Sequence, residues 1–137
     1  MKRAILAVAV AVALWAWLPA AAQEAPEGIR AVIAAQIEAF RAGEMTRAFD
    51  FASDGIRRIF VTPESFGAMI EGGYAMVIDP AEVRFLELRE LDGTLWQKVL
   101  LKDEAGLWHA LDYAMVEERG TWRIDGVQFL RRGEVGA

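Results

Sequence analysis

The chain of 137 residues contains no cysteine and a single histidine, His109. The missing cysteines exclude disulfides, thiolate catalysis and zinc sites built on sulfur. One imidazole excludes any metal centre that needs two. No Ser/His/Asp arrangement, glycine-rich phosphate loop or metal-ligand spacing occurs, so neither a metal nor a cofactor is expected. Basic residues are also scarce, 15 against 20 acidic ones.

What is present divides into two unequal segments. Met1-Lys2-Arg3 is basic, residues 4–18 are uninterrupted apolar sequence, and Pro19 precedes Ala20-Ala21-Ala22 and the polar Gln23-Glu24. A charged start, an apolar run and small residues at −3 and −1 describe a cleavable signal peptide over 1–22. A membrane anchor is the rival reading, but Pro19 would break a spanning helix at its end. A lipid anchor is excluded, because no cysteine sits at the cleavage point. Cleavage would leave one domain, 23–137, placed in the periplasm or secreted, with no membrane attachment. Lys2 and Arg3 would leave with the signal, so 13 basic side chains would face 20 acidic ones. Such a balance speaks against a nucleic-acid partner, which demands a cationic surface.

The first half of the domain has helical periodicity. Ile29, Val32, Ile33, Ile37 and Phe40 form one apolar stripe, which Gly43 ends, and Gln36 is the polar member lying on it. A second helix from about Glu44 turns Met45, Ala48, Phe49 and Ala52 inward, and Ser53-Asp54-Gly55 interrupts it before residues 56–60. Thr62-Pro63-Glu64 starts a third, carrying Phe66, Met69 and Ile70, and Gly72-Gly73 ends it.

The second half reads as four strands, near 81–91, 94–103, 107–117 and 121–131. Asp92-Gly93 predicts a two-residue hairpin that sets Leu91 opposite Thr94, Leu88 opposite Gln97, Glu87 opposite Lys98 and Leu86 opposite Val99. A three-residue loop with Gly106 left-handed pairs Val99 with Leu111 and Lys98 with Asp112, keeping apolar with apolar. Leu107, His109, Leu111, Tyr113 and Met115 then share the buried face, with Tyr113 across from Gln97. A turn at Glu118-Arg119-Gly120 adds Trp122, Ile124, Gln128 and Leu130, unless a bulge at Gly126 flips the tail to Val127 and Phe129. The expected fold is α+β, three helices packed over one face of an antiparallel meander.

This order, helices first and then a bent antiparallel sheet, resembles the cone-shaped nuclear transport factor 2-like (SnoaL-like, cystatin-like) superfamily. More narrowly, the chain resembles an uncharacterised bacterial secreted family, domain of unknown function 4864. The resemblance lies in Ile33-Ala-Ala-Gln-Ile-Glu-Ala-Phe40, in Ala48-Phe-Asp-Phe-Ala-Ser53, and in Phe66-Gly-Ala-Met69 with Tyr74. It continues through Gln97, Tyr113 and Gly120-Thr-Trp-Arg-Ile-Asp-Gly-Val127. It implies a cone of three N-terminal helices on a curved sheet. It does not imply an activity, because the superfamily includes isomerases, dehydratases and non-catalytic binding domains alike.

Gln36, Gln97, His109, Tyr113 and, if no bulge intervenes, Gln128 then converge on an apolar surface. A few fixed polar groups in an apolar concavity describe a pocket for a small-molecule ligand, with His109 at its rim. The alternative is that these groups satisfy one another, Gln97 hydrogen-bonding Tyr113 across the strands. Enzymes on this fold need an inward carboxylate or a His–carboxylate pair, whereas Asp112 and Asp125 point outward here and Glu87 meets Lys98. Ligand binding without catalysis is therefore the leading expectation. A second is an interaction or homodimer surface on the outer sheet face, at Trp96 and Trp108. An isomerase or dehydratase is third.

Overall fold

A computed structural model describes residues 20–131, with side chains from residue 25 onward. The expected signal peptide lies outside the described residues, apart from the helical backbone of its last three. Four helices come first: α1 (Ala20–Arg41), α2 (Met45–Asp50), α3 (Asp54–Phe60) and α4 (Pro63–Gly73). A single 3-10 turn (Ala75–Val77) leads into β1 (Glu82–Leu91), β2 (Thr94–Lys102), β3 (Trp108–Glu118) and β4 (Thr121–Phe129). The strands form one curved antiparallel sheet in the order β1-β2-β3-β4, so the expected α+β fold is present. Among the described residues, no helix is long and apolar enough to cross a membrane.

The apolar stripe of α1 is the spine of the core. Ile29, Ile33, Ile37 and Phe40 are buried against the sheet and α2. Gly28 is required for this approach, because a Cβ there would lie 2.9 Å from the Trp122 ring on β4. The segment expected as one interrupted helix is two, α2 and α3. Ser53 separates them because its extended backbone and its hydroxyl, which accepts from the Ile56 N–H at 3.2 Å, start a new helix. The same junction docks on the sheet edge. Ser53 N–H donates to the Ile124 carbonyl at 2.8 Å, and Ile124 N–H donates to that of Phe51 at 2.9 Å. Thr62 caps α4 as its sequence predicts, accepting from Ser65 N–H at 3.1 Å.

Three turns set the sheet registers. Asp92-Gly93 and Arg119-Gly120 both hold positive φ at both positions, the geometry of two-residue hairpin loops that match strand twist. The middle loop has three residues, with Gly106 at φ +84°, and pairs Val99 with Leu111 and Lys98 with Asp112 as expected. Two bulges then shift what the turns alone would dictate. In β1, Leu88 still meets Gln97, but Phe85 rather than Leu86 meets Val99. Leu86 is thereby displaced from the inner face, and Val83 and Phe85 pack on the core instead. In β4, Met115 pairs with Ile124 but Ala114 pairs with Gly126, which turns Val127 inward opposite Tyr113. Gln128 therefore pairs with Asp112 on the outer face, the outcome the bulge at Gly126 allows for, and Leu130 joins it there. Leu107 is a further departure: it closes the loop opposite Asp103 and is exposed. Bulges add local bend and twist, and these two help curve the sheet around the helices.

Candidate functional site

Between the helices and the β3–β4 end of the sheet lies a cavity of about 320 Å3. Ile56 and Phe60 of α3 form one wall, and Phe66, Met69 and Ile70 of α4 another. Ala52, Tyr74, Val77, Ile124, Gly126 and Val127 complete the apolar lining. Among the described residues, no carboxylate, histidine, lysine or arginine lines it.

Two of the four sequence-predicted site residues meet here. Gln36 comes from the apolar stripe of α1 and Tyr113 from the inner face of β3. Gln36 is only 5% exposed, and its Nε2 donates to the Ala48 carbonyl at 3.1 Å. That bond fixes the amide, and no hydrogen bond to Oε1 is found among the described residues. Tyr113 is 1% exposed, and no partner for its hydroxyl is found among the described residues either. Burial alone pushes its ionisation well above the usual tyrosine range, so it remains a neutral donor. The third polar group, the Tyr74 hydroxyl, donates to the Val127 carbonyl at 3.3 Å, and the Tyr74 ring stacks on Phe129 at 5.0 Å.

Gln97 does not join them. It lies opposite Tyr113 as expected, but no hydrogen bond between the two side chains is found among the described residues. Instead Gln97 Nε2 donates to the carbonyls of Leu86 and Lys98, both at 2.9 Å. A bulge leaves ladder carbonyls without their usual partners, and this amide takes up the one at Leu86. Gln97 thus holds the β1 bulge rather than lining the cavity, and its Oε1 stays buried without a partner.

His109 is elsewhere too. It sits opposite Leu101 at the rim of the inner face, in a depression with Ala75, Met76 and Ile78 that shares no lining residue with the cavity. It does have a carboxylate partner: Nε2 lies 2.8 Å from Asp103 Oδ2. Asp103 also accepts from Leu107 N–H at 2.9 Å, and His109 and this N–H hold its carboxyl below the ordinary range. Sequence reasoning missed this pair, although the register contained it. Asp103 lies two residues beyond Leu101 on the same face, a diagonal neighbour of His109.

On the outer face, Trp96 is half-buried and Trp108 is 41% exposed. The Arg84 guanidinium sits 4.7 Å above the Trp108 ring. Asp112 and Lys98 face outward as expected, yet both are buried. Arg89 grips Asp112 with two hydrogen bonds, 3.0 and 2.7 Å, which raises the guanidinium's pKa further. Lys98 Nζ lies 2.8 Å from Glu87, so that expected pair survives the bulge and lowers the Glu87 pKa.

Residues 22–137, which include every described strand, match the family described as a domain of unknown function (DUF4864). The chain belongs to that family. No curated protein and no solved structure matches it. In this DUF4864 chain the cavity can enclose apolar surface and offer one hydroxyl and one amide oxygen, and its described lining includes no carboxylate or imidazole. The His109–Asp103 pair could bind or move a proton only in its own shallow depression.

Proposed function

We propose that this protein is an exported, non-catalytic binding domain that takes up a small, uncharged, mostly apolar molecule between its helices and its sheet. The observation that carries the reading is the 320 Å3 cavity itself, apolar and uncharged around the buried Tyr113. That volume falls at the small end of the range for ligand sites, which are mostly apolar with a few placed polar groups. A charged ligand would have to enter without a counter-charge, a costly transfer. The run of helices followed by a curved antiparallel sheet supports placing the domain in the nuclear transport factor 2-like superfamily. The basic start and apolar run of residues 1–22 support export.

Native mass spectrometry of protein purified from its own host tests the proposal. We expect a chain starting at Gln23 and carrying an added small-molecule mass. We expect Met69→Trp, which fills the cavity, to lose that mass while keeping a cooperative thermal transition. Protein without added mass, whose melting no apolar compound raises, would refute ligand binding.

A second use is favoured by Trp108, which is exposed between Arg84 and Lys102 and suits a contact surface, a homodimer included. Sedimentation across a concentration series checks it, with Trp108→Ala expected to weaken self-association; a monomer at every concentration rejects the homodimer.

A further inference from the structure

The cavity leaves two polar atoms open, and they are of opposite kinds. The Tyr113 hydroxyl can donate, and burial keeps it protonated. Gln36 Oε1 can only accept, because the bond from Nε2 to the Ala48 carbonyl settles which way the amide faces. Both side chains are at least nine-tenths buried, and both line the same cavity. Buried polar groups are ordinarily paired, within the protein or through what the protein binds. The outer face follows that rule, with Asp112 and Lys98 held by Arg89 and Glu87. Neither cavity atom has a hydrogen-bond partner among the described residues, and neither is sealed off as Gln97 Oε1 and Arg123 Nε are, which leaves both open to what enters the cavity.

We infer that the ligand is an apolar alcohol: a mainly hydrocarbon molecule whose hydroxyl oxygen accepts from Tyr113 and whose hydroxyl proton goes to Gln36 Oε1. This rests on the ligand-binding reading and specifies the polar end of what is bound. A hydrocarbon would leave both atoms unmet. A ketone would satisfy Tyr113 and leave Gln36 Oε1 unmet. A carboxylate would bring a charge where no cation lines the wall among the described residues, and would place two acceptors against each other at Gln36. An ammonium would face the Tyr113 proton without an acceptor to offer it. Of these groups only the hydroxyl is both donor and acceptor without charge. The volume, about ten waters at ~30 Å3 each, suits a medium-length chain or a small ring system.

The test uses four probes of equal chain length: n-octanol, octane, the corresponding methyl ketone and octanoate. Each displaces an uncharged naphthylamine dye from the full mature protein, and each is compared across wild type, Tyr113→Phe and Gln36→Met. We expect Tyr113→Phe to weaken octanol and the ketone about three- to tenfold and to leave octane unchanged, the loss of one neutral hydrogen bond. We expect Gln36→Met to weaken octanol by a similar factor while sparing both ketone and octane. Octanoate should bind worst to wild type. If Gln36→Met weakens every probe alike, its effect is structural and the inference fails. If octane and octanol respond identically to Tyr113→Phe, the inference fails while ligand binding stands. If no probe displaces the dye from wild type, both readings fall together.

Discussion

Asp112 and Tyr113 are neighbours on β3, point to opposite faces of the sheet and are buried to almost the same degree, 5% and 1% exposed. Their surroundings differ completely. The carboxylate of Asp112 is clasped by Arg89 with two bonds, and the outer face around it is an ionic network that includes Lys98 and Glu87. Tyr113 lines an apolar cavity, and no partner for its hydroxyl is found among the described residues. Burial alone therefore does not separate a structural polar group from one kept for a ligand; what counts is whether the group is paired and whether it lines a cavity. On the outer face the polar groups fix the sheet, whereas on the inner face Tyr113 is left open to the cavity.

Cutting the paired side should produce the larger effect. Asp112→Ala leaves the Arg89 guanidinium half-buried without its carboxylate, and breaking such a pair costs about 3 kcal/mol. Urea denaturation should show the midpoint falling without a change in slope. Replacing both partners with apolar residues, Arg89→Met with Asp112→Leu, should recover most of the loss, because the penalty lies in the orphaned charge.

Gln97 sharpens the contrast from the inner side, because it is polar, fully buried and still structural. Gln97→Leu removes the donor from the Leu86 and Lys98 carbonyls, and we expect a loss of about 2 kcal/mol. Amide hydrogen exchange should quicken around the bulge between Phe85 and Leu88 while α1 is unaffected. Binding of apolar probes should be unchanged, since Gln97 does not line the cavity.

The same residue shows where sequence reasoning reaches and where it stops. Asp92-Gly93 and Gly106 impose turn geometries that only a few residue types adopt, so the registers next to them were legible, down to Gln97 opposite Tyr113. The bulge in β1 carries no glycine and leaves no local mark, so Leu86 is expected inward and Gln97 is expected to reach Tyr113 rather than the bulge. The β4 bulge could be anticipated because Gly126 marks it. Gln36 and Tyr113 stood out as polar residues within apolar patterns, and these two reach the cavity. The walls supplied by α3 were not legible, because Ile56 and Phe60 are ordinary apolar residues until the Ser53 cap aims their helix. Asp103 was legible in principle, by counting one residue pair further along a register already in hand.

The clasp at the α3 start lies nearer to solvent than the buried Arg89–Asp112 pair of the outer face. Asp54 accepts two hydrogen bonds from Arg119, at 2.7 and 2.9 Å, and one from Arg57 at 2.7 Å. These guanidiniums hold its pKa below the ordinary carboxylate range. A group whose folded pKa is depressed adds stability above its unfolded value, and that stability is lost as the pH falls through the folded value. The contribution should therefore be complete at neutral pH and decline below about pH 4, where an unfolded aspartate protonates. Asp54→Asn should be slightly less stable than wild type at pH 7, with the gap closing on acidification and shrinking in high salt. Thermal melts across pH, with and without salt, check this. A gap that stays constant would mean that Asp54 acts through the shape of its hydrogen bonds rather than through its charge.

The smallest expected effect on stability is at Tyr113, and its smallness is informative. Removing the hydroxyl of a buried tyrosine normally breaks a hydrogen bond and costs about 1 kcal/mol. Here no described residue loses a bond, and Phe fills the same ring volume, so Tyr113→Phe should change ligand-free stability by less than ~0.5 kcal/mol, or raise it slightly by removing an unmet donor. The consequence should appear only when the cavity is filled, as a smaller rise in melting temperature with an apolar alcohol than wild type shows. A loss of 1 kcal/mol or more in the ligand-free protein would mean the hydroxyl is paired within the fold. The two faces of β3 would then differ in charge but not in kind.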